Sequence, residues 1–119
     1  MKKNAHFFVS YAHRNAQLAS GFLERLNDVL IPSKQYQYKL WSDHGILVGE
    51  DWDSQIKQAM QVCDVGLLLI SPSFLASSYI TETELPSLLS SEKKLIPVML
   101  QPIDMQRHDL KGLEKKQIY

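Results

Sequence analysis

The sequence predicts a single α/β domain built on a parallel sheet. Three observations predict it. Short β-prone runs alternate with amphipathic helical patterns along the chain. The run Val65 to Ile70 is apolar throughout, the mark of a strand covered on both faces in the middle of a parallel sheet. The connections between runs are too long for hairpins, which implies right-handed crossovers and a doubly wound sheet.

His6-Phe7-Phe8-Val9-Ser10 reads as the first strand. A helix follows, with Leu18, Phe22, Leu23, Leu26, Val29 and Leu30 recurring at three- and four-residue steps on one face. Asn15 or Arg14 lies near its start and Pro32 ends it. Tyr38 to Trp41 reads as the second strand, and Ser42 to Glu50 as a loop with Gly45 and Gly49 as its flexible points. Asp51 is placed to cap a second helix whose buried face is Trp52, Ile56, Ala59, Met60 and Cys63. Val65 to Ile70 is the third strand, and Ser71-Pro72 ends it. Leu95 to Leu100 is a fourth run, and Pro97 within it indicates an irregular or less central ladder position.

Composition bounds the function. The chain has 119 residues, one domain's worth, with 45% hydrophobic and 22% charged residues. A domain of this size buries roughly two-thirds of its unfolded surface, enough for a core without metal or disulfides. The single cysteine, Cys63, excludes an internal bridge and suits a reducing compartment. Thirteen basic and thirteen acidic side chains cancel, which argues against a nucleic-acid binder. The stretch Ala5 to Val9 is too short and too polar for a signal peptide, and Val65 to Ile70 falls far short of the ~20 residues that span a bilayer. A cytoplasmic protein, with neither membrane nor nucleic acid as partner, is expected.

In an open parallel sheet, ligands bind outside the carboxyl ends of the strands, near the switch in strand order. The segments on that edge are Ser10–Asn15, Ser42–Glu50 and Ser71–Glu84, the last of which is read as a loop. No glycine-rich phosphate motif follows any strand, so a Rossmann or P-loop site is not expected. The histidines His6, His13, His44 and His108 lack ligand spacing with each other or with Cys63, although His13 and His44 both sit on working-edge loops. No G-x-S-x-G elbow is present, and Ser73, Ser77 and Ser78 read as turn and cap residues. A receiver-like regulatory domain would want an acidic cluster after the first strand, and Ser10 to Asn15 has none.

Glu84 has two readings on local sequence. Thr81-x-x-Glu84 matches a capping box. Pro86 disfavours that box, because it would fall past the first turn of a helix capped by Thr81. A helix starting nearer Thr83 puts Pro86 in the first turn and Glu84 at the helix start, where the dipole favours its charge.

Three segments in order resemble a Toll/interleukin receptor (TIR) domain of the bacterial kind. Phe7-Phe8-Val9-Ser10-Tyr11 looks like the family's first box. Trp41 to Trp52 looks like its second-box loop, through Asp43, Gly45 and Ile46. Asp64 to Ser71, followed by Phe74, Ser77, Tyr79 and Glu84-Leu85, looks like the third strand and the segment bearing the family's glutamate. The resemblance covers nearly the whole chain, so the domain is taken as 1–119. It implies a flavodoxin-like sheet of five strands, of which the last strand and the helix after it are expected to be truncated, since the chain stops at Gln117-Ile118-Tyr119 where that strand would begin. It also implies a longer protein, of which this is the N-terminal effector part, with a fused or separate sensor domain.

The resemblance implies two functions. Some members only self-associate as signalling scaffolds, and many bacterial ones cleave NAD+ at the nicotinamide–ribose bond. In the enzymes a glutamate after the third strand is essential, which by resemblance is Glu84. Catalytic members often carry a tryptophan four residues before it, whereas here Tyr79 stands five before, so Glu82 remains a rival. Ser10, Tyr11, His13, Asp43, Gly45, Ile46 and Tyr79 are the expected substrate-binding residues, with NAD+ as substrate and no cofactor or metal. The aromatic rings of Phe8, Tyr11, Trp41 and Tyr79 offer stacking surfaces, although Phe8 and Trp41, on strands, suit core packing better.

Overall fold

The computed structural model describes residues 3–42, 52–104 and 106–119, the side chains of residues 52, 53 and 115 excepted. Strands β1 (Lys3–Ser10), β2 (Tyr36–Trp41), β3 (Val65–Ile70) and β4 (Lys94–Met99) form one sheet in the order β2-β1-β3-β4. All its pairings are parallel. Helix α1 (Ala16–Leu30) joins β1 to β2, and α2 (Trp52–Val62) precedes β3. Between β3 and β4 lie α3 (Pro72–Ala76), a π turn (Ile80–Glu84) and α4 (Leu85–Ser90). Among the described residues, no helix is long and apolar enough to cross a membrane.

The uninterrupted apolar run of β3 has its physical reason in two cores. Leu68 and Ile70 point into the larger one, with Phe8, Ile56, Met60, Phe74 and Leu85. Leu67 and Leu69 point to the other face, where Val9, Ala19 and the partly buried Phe22, Leu23 and Leu26 cover the sheet. Each strand residue therefore meets a covered face whichever way it points.

Several expectations change. Leu18 and Val29 are 48% and 75% exposed and do not belong to the buried face of α1. That face runs through Ala19, Phe22, Leu23 and Leu26, and at about 100° per residue Leu18 and Val29 lie roughly a quarter turn off it. Segment 71–84 is not a loop: after α3 the chain is helical again from 78 to 90. Pro86 is consequently inside a continuous helical segment and not in the first turn of a helix begun at Thr83.

Pro97 does lie on an outer strand, in register with Leu68. Its carbonyl accepts the Tyr119 amide at 2.8 Å, and the Met99 amide donates to the Tyr119 carbonyl at 2.6 Å. The pair of bonds is the parallel-ladder pattern, so Tyr119 stands where a neighbour of β4 would run. The sheet has four strands among the described residues. The expected cap Asp51 lies outside them.

Candidate active site

The strand order reverses direction at β1: β2 lies on one side of it and β3 on the other. The carboxyl ends of β1 and β3 are thus neighbours at the switch point, where a crevice opens in such sheets. Ser10 is the last residue of β1, and segment 71–84 leaves β3 beside it.

A cleft of about 510 Å³ occupies this position. Tyr11, His13 and Arg14 form one wall, Tyr79 and Ile80 another, and Glu84 lies in it as well. Glu84 is only 5% exposed, and its Oε1 accepts a hydrogen bond from the Ser10 hydroxyl at 2.8 Å. Ser10 is 2% exposed and is not among the residues lining the cleft. Its hydroxyl supports the carboxylate from behind.

Glu82 is exposed and lines no part of the cleft. The capping box is not formed: the Thr81 hydroxyl donates to the Ser77 carbonyl at 2.8 Å, while Glu84 accepts from Ser10. Neither the π turn nor α4 has a side-chain cap.

The loop after β1 is fixed by a buried polar relay. The Asn15 amide donates to Gln101 Oε1 at 3.0 Å, and its carbonyl oxygen accepts the Ser71 hydroxyl at 2.6 Å. Ser71 Oγ in turn accepts the Phe74 amide at 3.0 Å and caps α3. Residues following β1, β3 and β4 are tied at one edge, which holds the short 3-10 turn His13–Asn15 beside the cleft.

Five expected residues therefore converge: Glu84, Tyr11, His13 and Tyr79 in the cleft, with Ser10 behind it. Asp43, Gly45, Ile46 and His44 lie outside the described residues. Phe8 and Trp41 are not in the cleft; their rings stack on each other at 5.3 Å and 15°. Sequence reasoning missed Arg14, Ser73 and Ser77 as cleft residues. Arg14 carried a signal, because it is next to His13 on a working-edge loop, whereas the serines read as turn residues. Tyr11 and His13 meet edge to face at 6.4 Å.

Other chemistries find less support. Among the described residues, no group of three or more His, Cys, Asp or Glu side chains is placed to hold a metal ion. Cys63 is buried away from the cleft, and burial pushes its thiol above the ordinary value of 9.0, so it is protonated at neutral pH and is a poor nucleophile.

A parallel sheet, four-stranded among the described residues, with a buried carboxylate at its switch point defines an α/β protein of the flavodoxin-like kind with a crevice on its carboxyl edge. Residues 7–118 match the TIR domain family, and the chain belongs to it. It is also 30% identical over 101 residues to an uncharacterized protein, y4lF, of Sinorhizobium fredii (strain NBRC 101917 / NGR234). That match covers 82% of this chain and 30% of the relative, so the chain spans less than a third of the relative's length.

Proposed function

We propose that this TIR domain is an NAD+ glycohydrolase with Glu84 as its catalytic residue, active when copies assemble. The observation that carries the reading is the buried Glu84 carboxylate, supported by Ser10 and set in an aromatic- and arginine-walled cleft. Ordinary glycosidases use two carboxylates, one to protonate the leaving oxygen. Nicotinamide in NAD+ is a cationic pyridinium, so the bond electrons leave with it as a neutral base and no acid is needed. One carboxylate suffices to stabilise the oxocarbenium-like transition state or to orient the ribose hydroxyls. Water then adds at the anomeric carbon and gives ADP-ribose, releasing a proton; attack by a purine nitrogen in its place gives a cyclic isomer.

Tyr11 and Tyr79 supply stacking surfaces for nicotinamide or adenine, and Arg14 and His13 face the same space. No cofactor is required, since NAD+ is the substrate. The setting we infer is cytoplasmic antiviral defence in a bacterium, with a fused or separate sensor domain that brings copies together through TIR–TIR contacts.

The test is nicotinamide release from NAD+ by concentrated or artificially clustered protein. Release is expected to rise steeply with clustering and to vanish in Glu84→Ala with the fold intact. Glu82→Ala is expected to retain it. No release under any clustering condition would instead favour a scaffold that acts by binding other TIR domains. Loss in Glu82→Ala with retention in Glu84→Ala would reverse the assignment.

A further inference from the structure

The helical segment 78–90 contains one irregularity, and it sits at the glutamate. Residues Ile80–Glu84 form a π turn, and the Leu85 amide bonds to the Ile80 carbonyl, five residues back and not four. Such a turn carries one more residue than an α-helical turn and returns the chain to phase beyond it. Pro86 supplies a local cause. It has no N–H for the carbonyl four residues back, and in a regular helix its ring would collide with that carbonyl. It is itself exposed and packs in no core.

Two pairs depend on the extra residue. Tyr79 and Glu84, five apart, both line the cleft. Ile80 and Leu85, also five apart, are 4% and 1% exposed in the same core. On an uninterrupted α-helix, residues five apart are about 140° apart at about 100° per residue, so one member of each pair would face the wrong way.

We propose that the π turn absorbs one surplus residue, Thr83, so that Glu84 stays in phase with Tyr79: the working unit is a helical four-step pair, and the turn only accommodates the extra residue within it. This rests on Glu84 being the catalytic group, and it adds how that group is aimed. Removing one residue from the turn, together with the proline that opposes a regular helix, should leave both pairs on their faces at the α-helical spacing.

The experiment is a variant with Thr83 deleted and Pro86→Ala, measured in clustered protein beside the wild type. The expected result is a Tm equal to or above that of the wild type, with kcat and KM for NAD+ in the wild-type range. Deletion of Thr83 with Pro86 kept is expected to lower Tm, because the proline then lies inside an unbroken α-helix. The inference is overturned if the double variant fails to fold. It is equally overturned if the variant folds but loses about a hundredfold in kcat, the scale of a carboxylate misplaced by about 1 Å. If the wild type itself releases no nicotinamide, the function falls, and the Tm of the double variant still decides whether the helix keeps its phase.

Discussion

Ser10 and Glu84 are 74 positions apart in sequence and 2.8 Å apart in space. A hydroxyl donating to a carboxylate is a charge-assisted bond and holds the acceptor in one place. Removing it takes one hydrogen bond from a buried charged group, worth about 1.5–3 kcal/mol. Ser10→Ala is therefore expected to lower both stability and kcat, the latter by about tenfold, since each 1.4 kcal/mol is a factor of ten. KM should move less, because Ser10 does not line the cleft. A rise in KM at constant kcat would instead mean that Ser10 binds substrate directly. Urea unfolding and a kcat–KM comparison decide this. The Ser10 hydroxyl was legible as a working-edge residue, but its partner was not, because nothing local in Phe7-Phe8-Val9-Ser10 indicates which acid comes to meet it.

At the scale of elements, the two ends of the sheet have separate duties. The carboxyl edge carries the cleft, and the amino edge carries joints such as the end of α2. There the Lys93 ammonium donates to the Gln61 and Cys63 carbonyls at 2.5 and 2.6 Å. These carbonyls belong to the helix terminus, where the dipole favours a cation. Lys93→Met is expected to cost about 1 kcal/mol of stability, measured as a lower Tm, with nicotinamide release unchanged at temperatures where the variant is folded. A parallel loss of activity would show that the two edges are coupled. Helix periodicity located α1, but it could not separate the core line through Ala19 from its apolar margins at Leu18 and Val29. Propensity alone makes segment 71–84 a loop, because Ser71-Pro72 and the serines after it are turn residues. Burial of Phe74, Leu75 and Ile80 overrides that propensity and draws the segment into helix.

At the scale of the molecule, strand order decides where function can sit. With β1 and β3 central, their carboxyl ends share the switch-point crevice, and the β1 loop and the helix after β3 become its two walls. The outer strand β4 needs a neighbour, and Tyr119 meets it with two backbone bonds. Deleting residues 117–119 is expected to destabilise the domain by about 1–3 kcal/mol, at about 0.5–1.5 per bond. Denaturant unfolding reads the change. Unchanged stability would mean that the bonds to β4 exchange for water without net loss.

The sequence alone carries the class and the family. The unbroken run Val65 to Ile70, the alternation of strand and helix patterns and three ordered boxes were enough for a parallel α/β domain of the TIR kind. It also nominated Glu84 but left Glu82 beside it, because two acids two positions apart have the same composition and nearly the same neighbours. Only the tertiary structure set them apart, turning Glu84 inward to Ser10 and leaving Glu82 exposed. The physical reason is that helical phase is not a local quantity here. It is fixed by Ile80 and Leu85 packing in a core built from distant strands, and by the π turn that lets five residues do the work of four.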